Sequence, residues 1–438
     1  MKLLLIGLII AIGCNSLAQN NYLGVDLIEI ETALNKHLSN WYPAIIDTAN
    51  GGYYINLEHN WTLSKNQDKM LVTQGRGLWT AAKAANTLNK NQLYINAAHH
   101  GFSFFTKQLW DDENGGFRLM YYIDNSDKKE THNLVYANAF ALFALAEYAK
   151  LDQTGEALVW AEKTFDWMDS VAHDEKLLGY YNLINYNTDT SGAFGWDNPT
   201  WKDQNTSIHL LEAFTLYYQI NPSNKVKKRL EEMLILIRDT MTQANGSLKL
   251  FFTPNWQAID YSDSTREFIL SNQNFDHVSF GHNIETAYLL IDASKTLYGK
   301  VDSTTLRVAK KLCDHSVKYG FAPNFNGIYD RGYDFGSKGT IEIIDKRKSW
   351  WAQFEALHTL ALMTQYFPDE TIYVKAFQNM WQYIDQHLTD HEHGGYYYFG
   401  IDETPSNKNA PKGQNWKGPY HDGRTLIQIW QYANQQKP

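Results

Sequence analysis

The chain has 438 residues, of which 44% are hydrophobic and 20% are charged, a balance typical of a large globular fold and not of a disordered chain. Its formal net charge is −9, with no basic cluster or glycine-rich phosphate loop, which argues against a nucleic-acid or anionic-membrane partner. Aromatic residues make up 14% of the chain. This excess fits either an aromatic-rich core or a sugar-binding cleft, because flat rings pack on the C–H faces of pyranoses.

The first residues have the pattern of a targeting segment. Lys2 precedes an apolar run over residues 3–12, and a Ser-Leu-Ala stretch at residues 16–18 supplies a small-residue cleavage site. We predict a signal peptide over residues 1–18 and an exported, periplasmic protein. A lipoprotein cleavage box with Cys14 as the acylated residue overlaps this pattern. Only lipidation at that cysteine would lead us to expect a membrane partner.

A glycine followed by aromatic or small residues recurs six times along the rest of the chain, at intervals of 63 to 81 residues. Each copy precedes a short alternating segment, which is the pattern of a turn followed by a β-hairpin. A repeat of this length indicates an architecture built from similar units. The six glycines are Gly52, Gly116, Gly179, Gly246, Gly327 and Gly395.

Two helical patterns lie between successive glycine copies. The first helix of each pair is predicted over residues 77–88, 133–150, 206–219, 283–297 and 351–366, and the second over residues 92–110, 156–171, 225–241, 304–318 and 372–387. One further helix precedes the first copy, over residues 27–46, and one follows the last, over residues 423–434.

These twelve helices can form either a closed ring or an open solenoid. Closure is favoured because each end of the chain carries half a helix pair, and each half is strongly apolar. We therefore predict an all-α fold, an (α/α)6 barrel with short β-hairpins between the helix pairs. No Pro- or Ser-rich linker divides the chain, so residues 20–438 are predicted to form a single domain.

In such a barrel the first helices of all pairs begin at the same end, so their polar residues surround one mouth. The starts of the second helices carry ordinary caps. The candidate residues at the mouth are Arg76, Tyr136, Asn205, His209, His282, Glu285, Trp351, Glu355, Trp416 and His421.

This set of residues limits the chemistry. No metal-binding spacing such as His-Glu-x-x-His occurs, so we predict no metal, although dispersed histidines can converge on one. Glu285 and Glu355 could be the carboxylate pair of an inverting glycosidase. Two facing histidines suit a different reaction, in which one removes a proton from a carbon beside a carbonyl and the other returns it on the opposite face. The result is epimerisation, and an arginine near the carbonyl oxygen would stabilise the enediolate.

Five stretches, in order, resemble the N-acylglucosamine 2-epimerase family, and more closely its cellobiose 2-epimerase branch. They are residues 76–79 (RGLW), 205–212 (NTSIHLLE), 280–285 (FGHNIE), 350–355 (WWAQFE) and 416–421 (WKGPYH). The resemblance implies an (α/α)6 barrel and cofactor-free epimerisation at C2 of a reducing-end sugar.

The resemblance also implies roles for individual residues. His282 and His421 would be the acid/base pair at C2, His209 would assist opening of the sugar ring with Asn205 beside it, and Arg76 would hold the C1 or C2 oxygen.

Glu285 would orient His282, and Glu355 is grouped with the substrate-binding residues. Trp351 and Trp416 would stack on sugar rings, and Tyr136 would line the cleft.

Two residues depart from the family pattern, which has His at the position of Ser207 and Asp at the position of Asn283.

The double tryptophan at residues 350–351 resembles the branch that acts on disaccharides. The predicted reaction is C2 epimerisation of a β-1,4-linked disaccharide, either cellobiose or mannobiose, with no cofactor and a small sugar as the only partner of what we expect to be a monomer. The alternatives are an aldose–ketose isomerase, an N-acetylglucosamine 2-epimerase, an inverting glycosidase and a non-catalytic sugar-binding protein.

Overall fold

The computed structural model describes residues 20–89, 91–125, 127–128, 130–186, 201–336 and 340–435. The predicted signal peptide and Cys14 lie outside these ranges. The described α-helices are α1 (Leu27–Trp41), α2 (Leu71–Thr87), α3 (Gln92–Phe104), α4 (Val135–Ala149), α5 (Glu156–Val171), α6 (Gln204–Ile220), α7 (Asn224–Leu236), α8 (Arg266–Ser271), α9 (Phe280–Tyr298), α10 (Ser303–Tyr319), α11 (Trp350–Tyr366), α12 (Thr371–Tyr383) and α13 (Tyr420–Gln435).

Six helices form a closed inner ring in which α2, α4, α6, α9, α11 and α13 each pack against the next, and α13 packs against α2. The outer helices α3, α5, α7, α10 and α12 each pack on the inner helix that precedes them in the chain, whereas α1 packs on α13. The two ends of the chain therefore supply the sixth pair. The predicted (α/α)6 barrel is confirmed, and the open solenoid is not the fold.

The inner helices are buried on nearly every side, as shown by α4, in which every residue except the last is buried. Its alanine-rich sequence allows neighbouring helices to approach closely. The outer helices bury one face only, as expected of amphipathic helices that cover a core. Among helices in the described ranges, none combines the length and apolar character that crossing a membrane would require.

Short antiparallel strands connect the repeats at the end of the barrel where the inner helices begin. The strand before an inner helix pairs with the strand after the next glycine turn, as β3 pairs with β4 in front of α2. The strands are β1 (Asn21–Tyr22), β2 (Val25–Asp26), β3 (Lys69–Met70), β4 (Met120–Tyr121), β5 (His132–Leu134), β6 (Leu183–Asn185), β7 (Lys202–Asp203), β8 (Phe251–Phe252), β9 (Val278–Ser279), β10 (Arg331–Tyr333) and β11 (Glu342–Asp345). The first eight form two-stranded ladders, and the last three form one sheet with β10 in the middle.

The six glycine copies occupy one structural position. All six have φ between 65° and 90°, the left-handed region that favours glycine. In each repeat, an isolated antiparallel bridge joins the segment after an outer helix to the residue one or two places beyond the glycine. The bridged pairs are Ile46–Tyr53, Trp110–Phe117, His173–Tyr180, Thr242–Leu248, Phe321–Ile328 and Thr389–Tyr396.

A buried amide side chain attaches four of these turns to the next inner helix. Gln353 shows the arrangement: its Oε1 accepts from the backbone N–H of Ile328 at 2.7 Å and its Nε2 donates to the carbonyl of the same residue at 2.9 Å. Gln74 bonds both backbone groups of Tyr53 in the same way, and Asn138 those of Phe117, whereas Asn283 only accepts from the backbone N–H of Leu248. We call these four residues the amide anchors.

Several predicted boundaries were wrong by a turn or more. Helix α2 begins at Leu71 rather than residue 77, so Arg76 lies inside the helix. Gly75 is also part of this helix, where it allows close packing against the backbone of Phe140. Helix α1 ends at Trp41 rather than residue 46. The short helix α8 was not predicted. Three outer helices continue into π-helical turns, at Phe105–Leu109, Ile237–Met241 and Ile384–Leu388.

Candidate active site

A cavity of about 160 Å³ lies at the end of the barrel where the inner helices begin, and nine of the ten predicted site residues line it. It receives side chains from all six inner helices, from the segment just before α13 and from the segment after the last glycine turn. The lining residues are Arg76, Tyr136, Asn205, His209, His282, Glu285, Trp350, Trp351, Tyr398, Trp416 and His421. Trp350 and Tyr398 were not among the predicted site residues. Their signals were the double tryptophan and the run of tyrosines after Gly395.

The three histidines of the cavity are each held through Nδ1. His421 Nδ1 lies 2.6 Å from Oε1 of Glu355, and His209 Nδ1 lies 3.1 Å from Oε2 of Glu212. His282 Nδ1 lies 2.8 Å from the hydroxyl oxygen of Ser279. Because Nδ1 is engaged in each ring, Nε2 is the atom that can reach a ligand in the cavity.

Glu355 lies outside the cavity lining, and Glu285 lines the cavity but bonds a different partner from the one predicted. Glu355 is fully buried behind His421, outside the cavity lining, so it supports a histidine and does not reach a ligand directly. Glu285 lines the cavity, but its described hydrogen bond is to Arg424, at 2.8 Å, and the side chain that positions His282 is Ser279. Helical i, i+3 spacing put Glu285 on the same face as His282 but did not show that a closer cation would bind it.

Arg424, which sequence reasoning missed, connects the supporting carboxylates. Its guanidinium contacts Glu285 at 2.8 Å and Glu355 at 2.6 Å, and it also bonds Glu212. A buried cation among three buried carboxylates offsets part of the cost of removing them from water. The signal was available in the sequence: Arg424 stands three residues after His421, on the same face of the last helix.

Removal of water from the rings shifts the pKa of both proposed acid/base histidines downward. It lowers the pKa of His282 to about 4, opposed by the charge of Glu285. For His421 it lowers the pKa well below the usual value, and the cations Arg76 and Arg424 act in the same direction. Both rings are therefore neutral near pH 7, the form in which a histidine accepts a proton. Burial raises the pKa of Glu355, and Arg424 opposes that shift.

Arg76 carries a positive charge into the cavity. Its guanidinium donates to the Tyr136 hydroxyl at 3.0 Å and to the carbonyl of Trp416 at 3.1 Å, and it lies 4.4 Å from the ring centre of Phe140. In the described part of the chain, no carboxylate lies within ion-pair distance of it. The guanidinium is thus oriented by neutral groups, and its charge is available to an oxygen of a ligand.

Aromatic rings form the remaining walls of the cavity. The Trp351 ring lies 4.8 Å from the ring of His282 and 5.9 Å from that of His421, measured between centroids. Trp416 stands at the rim with 40% of its surface exposed. A second cavity of about 280 Å³ shares Asn205, His282 and Trp351 with the first, so the two form one elongated groove.

One set of described side chains has ligand atoms close enough together to hold a metal ion, namely Glu285, Glu355 and His421, within 4.8 Å of one another. The guanidinium of Arg424 already contacts both carboxylates. It supplies the positive charge at the place where a metal ion would sit, so these residues fit an ion pair better than a metal site.

Comparisons with known proteins show which class of enzyme this is, because the relatives are carbohydrate isomerases and epimerases. The cellobiose 2-epimerase of Dictyoglomus turgidum is 26% identical over 426 residues, 92% of this chain and 99% of that protein. The D-mannose isomerase of Marinomonas mediterranea is 24% identical, over 90% of this chain and 94% of that protein. The structure of cellobiose 2-epimerase from Bacillus thermoamylovorans superimposes with a TM-score of 0.80 at 24% identity, over 93% of this chain and 99% of that one.

A family model shows which protein family this is. The model for N-acylglucosamine 2-epimerase matches residues 52–421, most of the chain. The chain belongs to the N-acylglucosamine 2-epimerase family, as its five motifs predicted.

Proposed function

We propose that this enzyme inverts C2 of the reducing-end sugar of a β-1,4-linked disaccharide, cellobiose or mannobiose. The observation that carries the proposal is the pair of histidines, His282 and His421, which come from separate inner helices and lie on the ring of Trp351 in one cavity. The groove that extends past His282 has room for a second sugar ring, and several relatives named cellobiose 2-epimerase align over most of the chain.

The reaction begins when the sugar ring opens, assisted by His209, whose Nδ1 is held by Glu212. One of the two facing histidines then takes the proton from C2 through Nε2, and the electron pair moves onto the carbonyl oxygen. Arg76 stabilises the resulting enediolate.

The negative charge of the enediolate raises the proton affinity of the second histidine, which takes a proton from solvent and delivers it to the opposite face of C2. The first histidine releases its proton to solvent. The two residues exchange roles in the reverse reaction.

The test is incubation of cellobiose and mannobiose in deuterated water, followed by NMR of the products. We expect a C2-epimeric disaccharide that carries deuterium at C2 of the reducing sugar. His282→Asn and His421→Asn should each abolish the exchange, whereas His315→Asn, which changes a buried histidine outside the cavity, should retain it. Release of monosaccharides would instead indicate a glycosidase, and conversion of N-acetylglucosamine alone would reject the disaccharide assignment.

An aldose–ketose isomerase is the second candidate, supported by the similarity to a D-mannose isomerase. It would use the same enediolate and return the proton to C1 instead of C2. A ketose product with deuterium at C1 would identify this reaction.

We also propose that the enzyme is exported, on the basis of the signal-peptide pattern over residues 1–18. Cell fractionation and the mass of the mature protein test this proposal. A periplasmic protein whose first residue is Gln19 would support soluble export, and an acylated Cys14 would support the lipoprotein alternative.

A further inference from the structure

The barrel has another cavity, of about 470 Å³, at the opposite end of the same inner ring. The active-site cavity is lined by the first turns of the inner helices, and this one by turns closer to their C-terminal ends. All six inner helices contribute to it, with Lys83, Phe143, Leu216, Asp292, His358 and Gln428 as one residue from each. Neither the proposed catalysis nor the proposed substrate groove uses this space. We call it the distal cavity.

Four buried polar atoms belong to residues that line the distal cavity and have no hydrogen-bond partner among the described residues. They are Nε1 of Trp79, the hydroxyl of Tyr288, Nδ1 of His358 and Nε of Arg424. Each of the four residues is 5% exposed or less. A buried polar group without a partner costs about 1–3 kcal/mol, so a polar ligand that bonds these groups would gain affinity.

The charges around the distal cavity are nearly balanced. Three lysines and three acids line it: Lys83, Lys150, Lys295, Glu147, Glu212 and Asp292. Lys150 is paired with Glu147 at 2.8 Å, and Arg424 with Glu212. The C-terminal ends of the inner helices add partial negative charge. The cavity therefore offers hydrogen-bond donors and carboxylate acceptors together, without an excess of positive charge to favour an anion.

Two aromatic side chains that stack on each other, Trp79 and Phe143, contribute to the lining of the distal cavity. The rings of Trp79 and Phe143 stack with centroids 5.1 Å apart and an angle of 10° between their planes. Hydroxyl groups are both donors and acceptors, so a polyhydroxylated molecule can satisfy the unpartnered atoms and the carboxylates at once. The volume is within the range usual for small-molecule sites.

We propose that the distal cavity is a second ligand site, which binds a neutral polyhydroxylated molecule of monosaccharide size. The proposal does not depend on which sugar the active site converts.

The distal cavity also has a physical connection to the active site. Glu212 and Arg424 line the distal cavity, yet Glu212 bonds Nδ1 of His209, and Arg424 contacts Glu355 behind His421. A ligand hydroxyl that bonds Glu212 competes with these contacts. Binding at one site therefore changes the affinity of the other, by the same factor in both directions.

The experiment is titration calorimetry with sorbitol, which has no carbonyl and cannot be epimerised, and with D-glucose. The protein carries Trp351→Ala, so that binding in the active-site cavity is weakened whatever its substrate. We expect sorbitol and D-glucose to bind at one site. Tyr288→Phe should lower the affinity roughly fivefold, which corresponds to the loss of one hydrogen bond. The Tyr288 hydroxyl has no partner to lose, so the variant should fold, and circular dichroism checks this.

Thr286→Val is the matched control, because it also removes a buried hydroxyl without a partner from α9 but does not line the distal cavity. It should bind sorbitol as the parent does. Asp292→Asn, which changes an exposed carboxylate that lines the distal cavity, should weaken the affinity for sorbitol as Tyr288→Phe does. Absence of binding, binding that neither Tyr288→Phe nor Asp292→Asn weakens, or binding of glucose 6-phosphate without glucose or sorbitol would overturn the proposal.

Discussion

His282 differs from the other two histidines of the active-site cavity in the group that holds it. His209 and His421 are each bonded to a carboxylate, whereas His282 is bonded to the hydroxyl of Ser279, the residue just before α9. A carboxylate favours the protonated ring much more strongly than a hydroxyl does. Ser279 therefore fixes the orientation of His282 while leaving it easy to deprotonate.

Removal of this hydroxyl should slow proton transfer without preventing sugar binding. We expect Ser279→Ala to lower kcat about tenfold, the value of one hydrogen bond of about 1.4 kcal/mol, and to change KM little. Ser279→Thr should restore kcat because it keeps the hydroxyl. Ser316→Ala removes a buried hydroxyl that bonds the carbonyl of Phe280 and serves as the control. If Ser279→Ala instead raised KM about tenfold and left kcat unchanged, this result would contradict a positioning role for Ser279.

For individual residues, the sequence predicted which side chains lie together in the active-site cavity but not which groups hold them in place. Motifs placed nine of ten site residues in one cavity. The partner of His282 was predicted wrongly, since spacing along one helix does not reveal that Arg424, 139 residues further along the chain, binds Glu285. Contacts between residues far apart in the chain depend on packing, which periodicity does not encode.

The amide anchors determine where the inner helices begin. Each lies in the first turn or soon after it and bonds the backbone just beyond a glycine turn, so the mouth of the barrel is fixed repeat by repeat. Asn283, which departs from the family pattern, is one of them: its Oδ1 accepts from the N–H of Leu248 at 3.1 Å and its Nδ2 lies 3.3 Å from Nδ1 of His315. Ser207, the other departure, bonds the carbonyl of Asp203 within its own helix start.

Loss of one anchor should destabilise the fold more than it alters the chemistry. Gln353→Leu leaves a buried N–H and a buried carbonyl of Ile328 without their partner, so we expect the free energy of unfolding to fall by about 2–4 kcal/mol. Chemical denaturation measures this change. Gln92→Leu, at an exposed position of α3, is the matched control and should change stability by less than about 0.5 kcal/mol. Equal changes in the free energy of unfolding for the two variants would contradict a stabilising role of the amide anchors.

The helices and their order could be predicted because apolar residues recur at helical spacing over long segments. The boundaries were not, because a glycine inside a helix looks like an ending in the sequence. Gly75 illustrates this: it lies within α2, where an added Cβ would stand 3.0 Å from the backbone oxygen of Phe140, a contact tighter than a larger residue normally makes. The sequence alone does not distinguish a glycine that allows close helix packing from a glycine that forms a turn.

Across the whole molecule, several histidines are held neutral by burial. Loss of water lowers the pKa of His282 and His315 to about 4, and the pKa of His277 and His358 to about 3. The unfolded chain binds protons on these rings below about pH 6.5, and the folded protein does so only near pH 3–4. Between these values the unfolded state holds more protons, so stability falls as the pH falls.

We therefore expect the melting temperature to drop between pH 7 and pH 5, with each such histidine contributing about 1–2 kcal/mol to the loss. His315→Gln should reduce the pH dependence, whereas His391→Gln, at an exposed position, should leave it unchanged. Calorimetry at a series of pH values tests both variants. A melting temperature that rises on acidification would contradict the assignment of neutral rings.

The pairing of α1 with α13 has a consequence for the order in which the chain can fold during synthesis. The ribosome makes α1 before the other described helices, but α13, which covers its apolar face, is the last of them to be made. Helix pairs in the middle can form early, whereas the ring stays open until α13 has been made. Until α13 has been made, the apolar face of α1 has no partner, so we expect α1 to pack late and the ring to close among the last steps of folding.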